Sequence, residues 1–162
     1  MKTFVTILML SFLLVCCKHK EEKELRPINM TDTITTKKDE MKALASNEQH
    51  LDTITLHTKD SEGIYKAVGT IDSIHPRIYV KFTNDFPATL KASILTEQKD
   101  ANIRFNQIIL SDKTMDGPFG KDLEYQLKTE GEHILIIGHS QMAEGRYEGA
   151  FKLQLKLTKK QL

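Results

Sequence analysis

From about residue 48 onward, apolar and polar residues alternate along the chain. The clearest stretch is the last one, where Tyr147, Gly149, Phe151, Leu153, Leu155 and Leu157 share one parity. Glu148, Lys152, Gln154, Lys156 and Thr158 take the other. A period of two puts the first set on one face of a strand, whereas a helix would scatter it around its circumference. Shorter alternations at Ile78/Val80/Phe82, Leu90/Ala92/Ile94, Ile103/Phe105 and Leu123/Tyr125/Leu127 predict further strands. Ile54/Leu56 and Tyr65/Ala67 are weaker examples of the same pattern. Ile134-Leu135-Ile136-Ile137 is continuously apolar, as expected of a central strand buried on both faces.

Turn-forming pairs separate these stretches: Glu62-Gly63, His75-Pro76, Phe86-Pro87, Asp116-Gly117-Pro118, Glu130-Gly131 and Glu144-Gly145, together with the polar run Lys99-Asp100-Ala101-Asn102. About seven or eight short strands in about 110 residues, with no helical period between them, predict an all-β fold, an antiparallel β-sandwich or barrel. Of the two we expect the sandwich. A chain of that length can bury one core without disulfides.

The first residues have a different layout. Lys2 precedes the apolar run Phe4 to Cys16, and charge returns abruptly at Lys18-His19-Lys20-Glu21-Glu22-Lys23. The run is too short for a comfortable membrane span, which takes roughly 20 residues, and is arranged like a cleavable signal. The sequence around Cys17 resembles a lipobox, which implies that residues 1–16 are removed and Cys17 becomes the lipidated first residue. The usual residue before the cysteine is alanine, glycine or serine, and here it is Cys16. Lys20-Glu21-Glu22 also resembles an export signal of surface lipoproteins. The expected location is the bacterial cell envelope, with a lipid anchor in the outer membrane on the periplasmic face or the cell surface.

Residues 18–47 contain seven Lys or Arg and six Asp or Glu, with few large apolar residues. A segment of this kind cannot bury enough surface to offset its ordering entropy. It reads as a flexible tether with an end-to-end distance of roughly 30 Å, with a loose helical turn or two over Lys37 to Ala45. The expected organisation is a signal peptide at 1–16, a tether at 17–47, a β-sandwich at 48–158 and a short tail at 159–162.

Composition narrows the chemistry. Beyond Cys17 the chain has no cysteine, so the domain holds neither a disulfide framework nor a reactive thiol. The formal charge is +1 and no basic block recurs downstream, which argues against a nucleic-acid surface. The six histidines, at 19, 50, 57, 75, 133 and 139, have no zinc-ligand spacing. No phosphate-cradling loop or nucleophile elbow is present. His139-Ser140 are neighbours, and on a strand they would point to opposite faces, a poor arrangement for base and nucleophile. Asp112-Lys113-Thr114-Met115-Asp116-Gly117 copies the start of a calcium loop, but Leu123 occupies the twelfth position and Pro118 interrupts the loop. No metal, cofactor or catalytic residue is expected.

Two loops are candidates for recognition. Asp116-Gly117-Pro118-Phe119-Gly120 has a backbone path fixed by two glycines and a proline; Phe119 either stands at its tip or folds back to cap the sandwich. Near the last turn, Tyr147 has core parity, while Arg146 faces solvent and can grip a carboxylate with two bonds.

Residues 50–157 resemble the periplasmic inhibitors of g-type lysozyme in the order and spacing of several motifs. These are Ser61-Glu62-Gly63-Ile64-Tyr65, Gly69-Thr70-Ile71, Arg77-Ile78-Tyr79-Val80-Lys81-Phe82 and Leu90-Lys91-Ala92-Ser93-Ile94. Asp116-Gly117-Pro118-Phe119 and Tyr125-Gln126-Leu127 follow. Gly131-Glu132-His133-Ile134-Leu135-Ile136-Ile137, then Tyr147 and the closing strand, complete the series. The final portion also resembles prepeptidase C-terminal domains.

The resemblance to the inhibitors implies a β-sandwich that blocks a muramidase by inserting loops into its cleft. The recognition residues it implies are His139, Ser140, Arg146 and Tyr147 in the last hairpin and Tyr65 after the first turn, to which we add Asp116, Gly117 and Phe119. The expected partner is a lysozyme, g-type first, or another secreted protein. The last hairpin departs from the family's basic loop, with Ser140-Gln141-Met142-Ala143-Glu144-Gly145-Arg146 carrying one Arg and one Glu. A carbohydrate- or protein-binding accessory module of the cell surface is the alternative. Sugar faces favour exposed aromatics, and the chain has no Trp and only four Tyr.

Overall fold

The computed structural model describes residues 41–42 and 46–159. The expected signal segment, Cys17, the tether through residue 40 and residues 160–162 lie outside the described residues. Met41 and Lys42 are helical, within the stretch expected to form a helical turn.

Ten strands follow among the described residues: β1 (Gln49–His50), β2 (Thr53–Thr55), β3 (Ile64–Ile71), β4 (Arg77–Asn84), β5 (Ala88–Leu95), β6 (Arg104–Ile109), β7 (Met115–Asp116), β8 (Asp122–Leu127), β9 (Gly131–Gly138) and β10 (Gly149–Lys159). One sheet has the order β1-β2-β4-β9-β6-β7 and the other β3-β10-β5-β8. The all-β, antiparallel-rich expectation holds. The number exceeds the expected seven or eight because β1 and β7, two residues each, add short edges to the first sheet.

One pairing departs from the antiparallel pattern: β2 runs parallel to β4, with Ile54 opposite Val80. The chain leaves β2, forms β3 in the opposite sheet and returns along the same direction. A parallel pair requires such a crossover rather than a tight hairpin.

The alternating residues meet in the middle. Ile78, Val80 and Phe82 of β4, Leu135 and Ile137 of β9, and Phe105 and Ile108 of β6 face Ala67 and Ile71 of β3, Leu90 and Ile94 of β5, and Phe151, Leu153 and Leu155 of β10. Burying each large side chain contributes about 1.5–3 kcal/mol. Gly69 sits opposite Phe151 in the β3–β10 register. A Cβ there would stand 2.4 Å from the Phe151 ring, so the missing side chain is the space the ring fills.

The continuously apolar run at β9 is central, between β4 and β6, but it is not buried on both sides. Leu135 and Ile137 face the core, while Ile134 and Ile136 are half-buried on the outer face. They pair there with Lys81 and Tyr79, partial cover that stands in for a third layer.

Three buried polar residues do structural work. Asn47, at the end of the composition-defined tether, is fully buried. Its Nδ2 donates to the carbonyls of Thr58 (2.8 Å) and Lys66 (3.0 Å), and its Oδ1 accepts from the N–H groups of His57 (2.8 Å) and Thr58 (3.1 Å). Gln49 bonds both backbone groups of Thr70, accepting from its N–H at 2.6 Å and donating to its carbonyl at 3.2 Å. Together they cover the free edge of β3.

At the far end of the sandwich His133 is buried against Phe82, with ring centroids 5.4 Å apart. Its Nδ1 accepts from the Ser111 N–H at 3.2 Å. Nε2 therefore carries the proton and donates to Asn84 Oδ1 at 2.7 Å. Asn84 Nδ2 donates in turn to the carbonyls of Phe86 and Thr129. Burial holds the ring below its usual pKa of 6.5, against the Thr129 carbonyl and Asp112, which favour the charged form.

Two outcomes follow from these buried groups. Asn47→Ala leaves several backbone groups unsatisfied and costs about 1–3 kcal/mol, read as a lower denaturant midpoint. The unfolded chain protonates His133 near 6.5, whereas the folded chain keeps it neutral to lower pH, so below 6.5 the unfolded state binds the extra proton. Stability therefore falls as pH drops from about 6.5. Calorimetry from pH 7 to 5 will show a steeper fall in Tm for the wild type than for His133→Gln.

Candidate functional site

Register assigns the loops to the two ends of the sandwich. Arg77 of β4 and Arg104 of β6 both pair with Gly138, the last residue of β9. The loop from residue 139 to 148, the β3–β4 turn and the β1–β2 turn gather at this end. Three large apolar side chains stand at it, each from a different loop: Leu51 (75% exposed), Ile74 (79%) and Met142 (98%). Exposed apolar loop tips at one end of a rigid sandwich make that end the candidate recognition surface.

The 139–148 loop is held from below by Asn102. Asn102 Nδ2 donates to the carbonyls of Gly145 (2.6 Å), Ser140 (3.1 Å) and Ala143 (3.3 Å). Its Oδ1 accepts from the Ser140 N–H at 2.9 Å. Ser140 Oγ accepts from Arg104 Nη1 at 3.1 Å and from the Met142 N–H at 3.3 Å. At the far leg the Tyr147 hydroxyl donates to the Ala150 carbonyl at 2.5 Å. Burial, with Glu97 nearby, pushes that hydroxyl's pKa up, so it stays a donor at neutral pH. Met142 is thus presented from an ordered frame.

The loop separates two clefts. On the outer face of the first sheet, a cleft of about 360 Å³ is lined by Arg77, Arg104, Asn106, His139, Ser140 and Met142. Gly138 leaves room there: a Cβ on it would lie 2.8 Å from Asn106 Nδ2. Asn106 falls at the irregularity where β6 slips against β9, between Phe105 and Gln107. On the other side a cleft of about 480 Å³ lies against Val68, Leu95, Glu97, Tyr147 and Glu148. Among the described residues no group of three or more His, Cys, Asp or Glu could hold a metal ion.

The expected recognition residues divide three ways. His139, Ser140 and Arg146 belong to this end, with Arg146 exposed. His139 and Ser140 both line the first cleft, because they follow the last residue of β9, where strand alternation stops. Tyr147 belongs here too but is only 7% exposed, and it supports the loop rather than offering its ring.

Tyr65 lies toward the opposite end, opposite Leu155, equally buried, with the Lys59 ammonium 5.0 Å from its ring centroid. Asp116 and Gly117 lie along the sheet edge: Asp116 is in β7 opposite Ile108, and its carboxylate accepts the Gly117 N–H at 2.7 Å. Phe119 folds back onto the core, edge-on to Tyr125 at 6.1 Å, the capping alternative. Pro118 links this segment to the site by lining the first cleft.

Sequence reasoning missed Asn102, Arg77, Arg104 and Met142. The available signal was the polar turn Lys99-Asp100-Ala101-Asn102 beside a strand beginning with Arg. The frame predicts that Asn102→Ala lowers global stability by about 1–3 kcal/mol. Amide exchange will accelerate most over residues 140–146, and an unchanged rate there would show that other contacts hold the loop.

No family model matches the chain, and no curated protein matches it. Among solved structures the chain is similar to PliG of Aeromonas hydrophila, a periplasmic lysozyme inhibitor of g-type lysozyme, at 10% identity and a TM-score of 0.49, covering 68% of this chain and 99% of that one. It is also similar to PliG of Salmonella Typhimurium, of the same description, at 14% identity and a TM-score of 0.46, covering 66% and 98%. These are the inhibitors that the motifs of residues 50–157 resemble.

Proposed function

We propose that this protein is a lipid-anchored binder of the cell envelope that captures a secreted muramidase, g-type lysozyme first, and blocks it by seating the 139–148 loop in the substrate cleft. The observation that carries this reading is the Asn102-framed loop, which holds Met142 almost wholly in solvent with Arg146 exposed at its end.

A loop ordered before binding loses little conformational entropy on association. Methionine adapts to an irregular pocket. Muramidase clefts work with carboxyl groups on the sugar chain, and an arginine can grip a carboxylate with two charge-assisted bonds. A lipid on Cys17 would hold this surface where an incoming hydrolase acts. The accessory sugar-binding alternative gains less support, because Tyr65 and Tyr147 are buried and cannot serve as stacking platforms.

Residues 18–162 added to a cell-wall lysis assay will inhibit the g-type enzyme at micromolar concentration or below, with weaker effects on c-type and i-type enzymes. Arg146→Ala and Met142→Ala will each reduce potency by about tenfold, the loss expected of an interface anchor. No inhibition of any of the three lysozymes would remove the inhibitor reading.

A further inference from the structure

The first cleft collects hydrogen-bond donors and positive charge without an acid to balance them. Arg77 and Arg104 flank Gly138 in one row across three strands, with Cα atoms about 10 Å apart, two interstrand spacings. Between them Gly138 adds no side chain, and the Asn106 amide lies over the gap. No Asp or Glu lines the cleft. Among the described residues, neither arginine joins the ion pairs, which are Lys66–Asp60, His75–Asp72 and Lys91–Glu124. Arg104 Nε is shielded from solvent and has no hydrogen-bond partner, while Nη1 of the same side chain is fixed on Ser140 Oγ.

We propose that this cleft is an oxyanion-binding site that takes a phosphate or carboxylate group between Arg77 and Arg104. The site is independent of whether a lysozyme is the partner. A guanidinium stays charged and presents its N–H groups in a planar fork that matches carboxylate and phosphate oxygens. Two such forks line the same cleft from β4 and β6, on either side of Gly138, whose missing side chain is the space the Asn106 amide fills. Arg104 is already immobilised by Ser140, so its remaining donors are aimed before the ligand arrives. Asn106, whose Nδ2 donates to the His139 carbonyl at 3.4 Å, also lines the cleft with a second amide N–H.

The test is an NMR titration of the full ¹⁵N-labelled chain in detergent, in a low-salt buffer free of both anions. Inorganic phosphate is one probe, acetate the second, and chloride the control. Saturable shifts of the Arg104 Nε–H signal and of the Gly138 and Ser140 amides are expected. Affinity should fall about tenfold in Arg104→Gln and in Arg77→Gln, one charge-assisted contact each. Stronger response to phosphate identifies a phosphate group as the natural ligand, and stronger response to acetate a carboxylate; either supports the site. Non-saturable shifts equal to those of chloride, or binding unchanged in both variants, would overturn it. The wild-type titration decides the matter even if a variant fails to fold.

Discussion

Two apolar strand faces have to cover each other, and the rest of the molecule follows from that. Phe82 and Phe105 on one sheet and Phe151 and Leu153 on the other are almost entirely removed from water. Once one residue of a strand is committed to this layer, its parity fixes every second side chain along it. Segments that cannot alternate are expelled to the two ends of the sandwich. There they lose the sheet ladder that satisfies backbone groups and need another source of hydrogen bonds.

Asparagine supplies much of it. Its side chain carries an acceptor and two donors on one rigid plane, so one residue can bind a bend in the chain from inside. Asn47 does this where the chain enters the domain, Asn84 where the far loops meet His133, and Asn102 under the loop that carries Met142. The two ends are consequently different in character. One is closed over a buried histidine and its partners. The other is equally ordered underneath but leaves Leu51, Ile74 and Met142 in water, with arginines beside them.

Much of the fold was legible because period two is a local property. The alternations at Ile78, Leu90 and Phe151 each define a face without reference to any other strand. Tyr147 was read with core parity, and it is buried. The parallel meeting of β2 and β4 depends on a crossover that no local pattern encodes, and the half-open outer face of β9 depends on what its neighbours bring. The site was less legible for the same reason. Asn102 acts on carbonyls 38 to 43 positions away. Arg77 and Arg104 become neighbours only through their shared pairing with Gly138. The resemblance that favoured Tyr65 pointed to a residue facing inward, beneath Lys59.

The seam along β3 has a mechanical meaning. The chain enters the domain through Asn47 and Gln49, whose side chains are stitched across the edge of β3 from Lys66 to Thr70. A pull on the chain ahead of Asn47 is therefore taken first by these side-chain bonds and by the short β1. Next along the chain is β2, with its parallel ladder to β4. The side-chain bonds stand as a clasp between the entering chain and the paired strands of the sandwich.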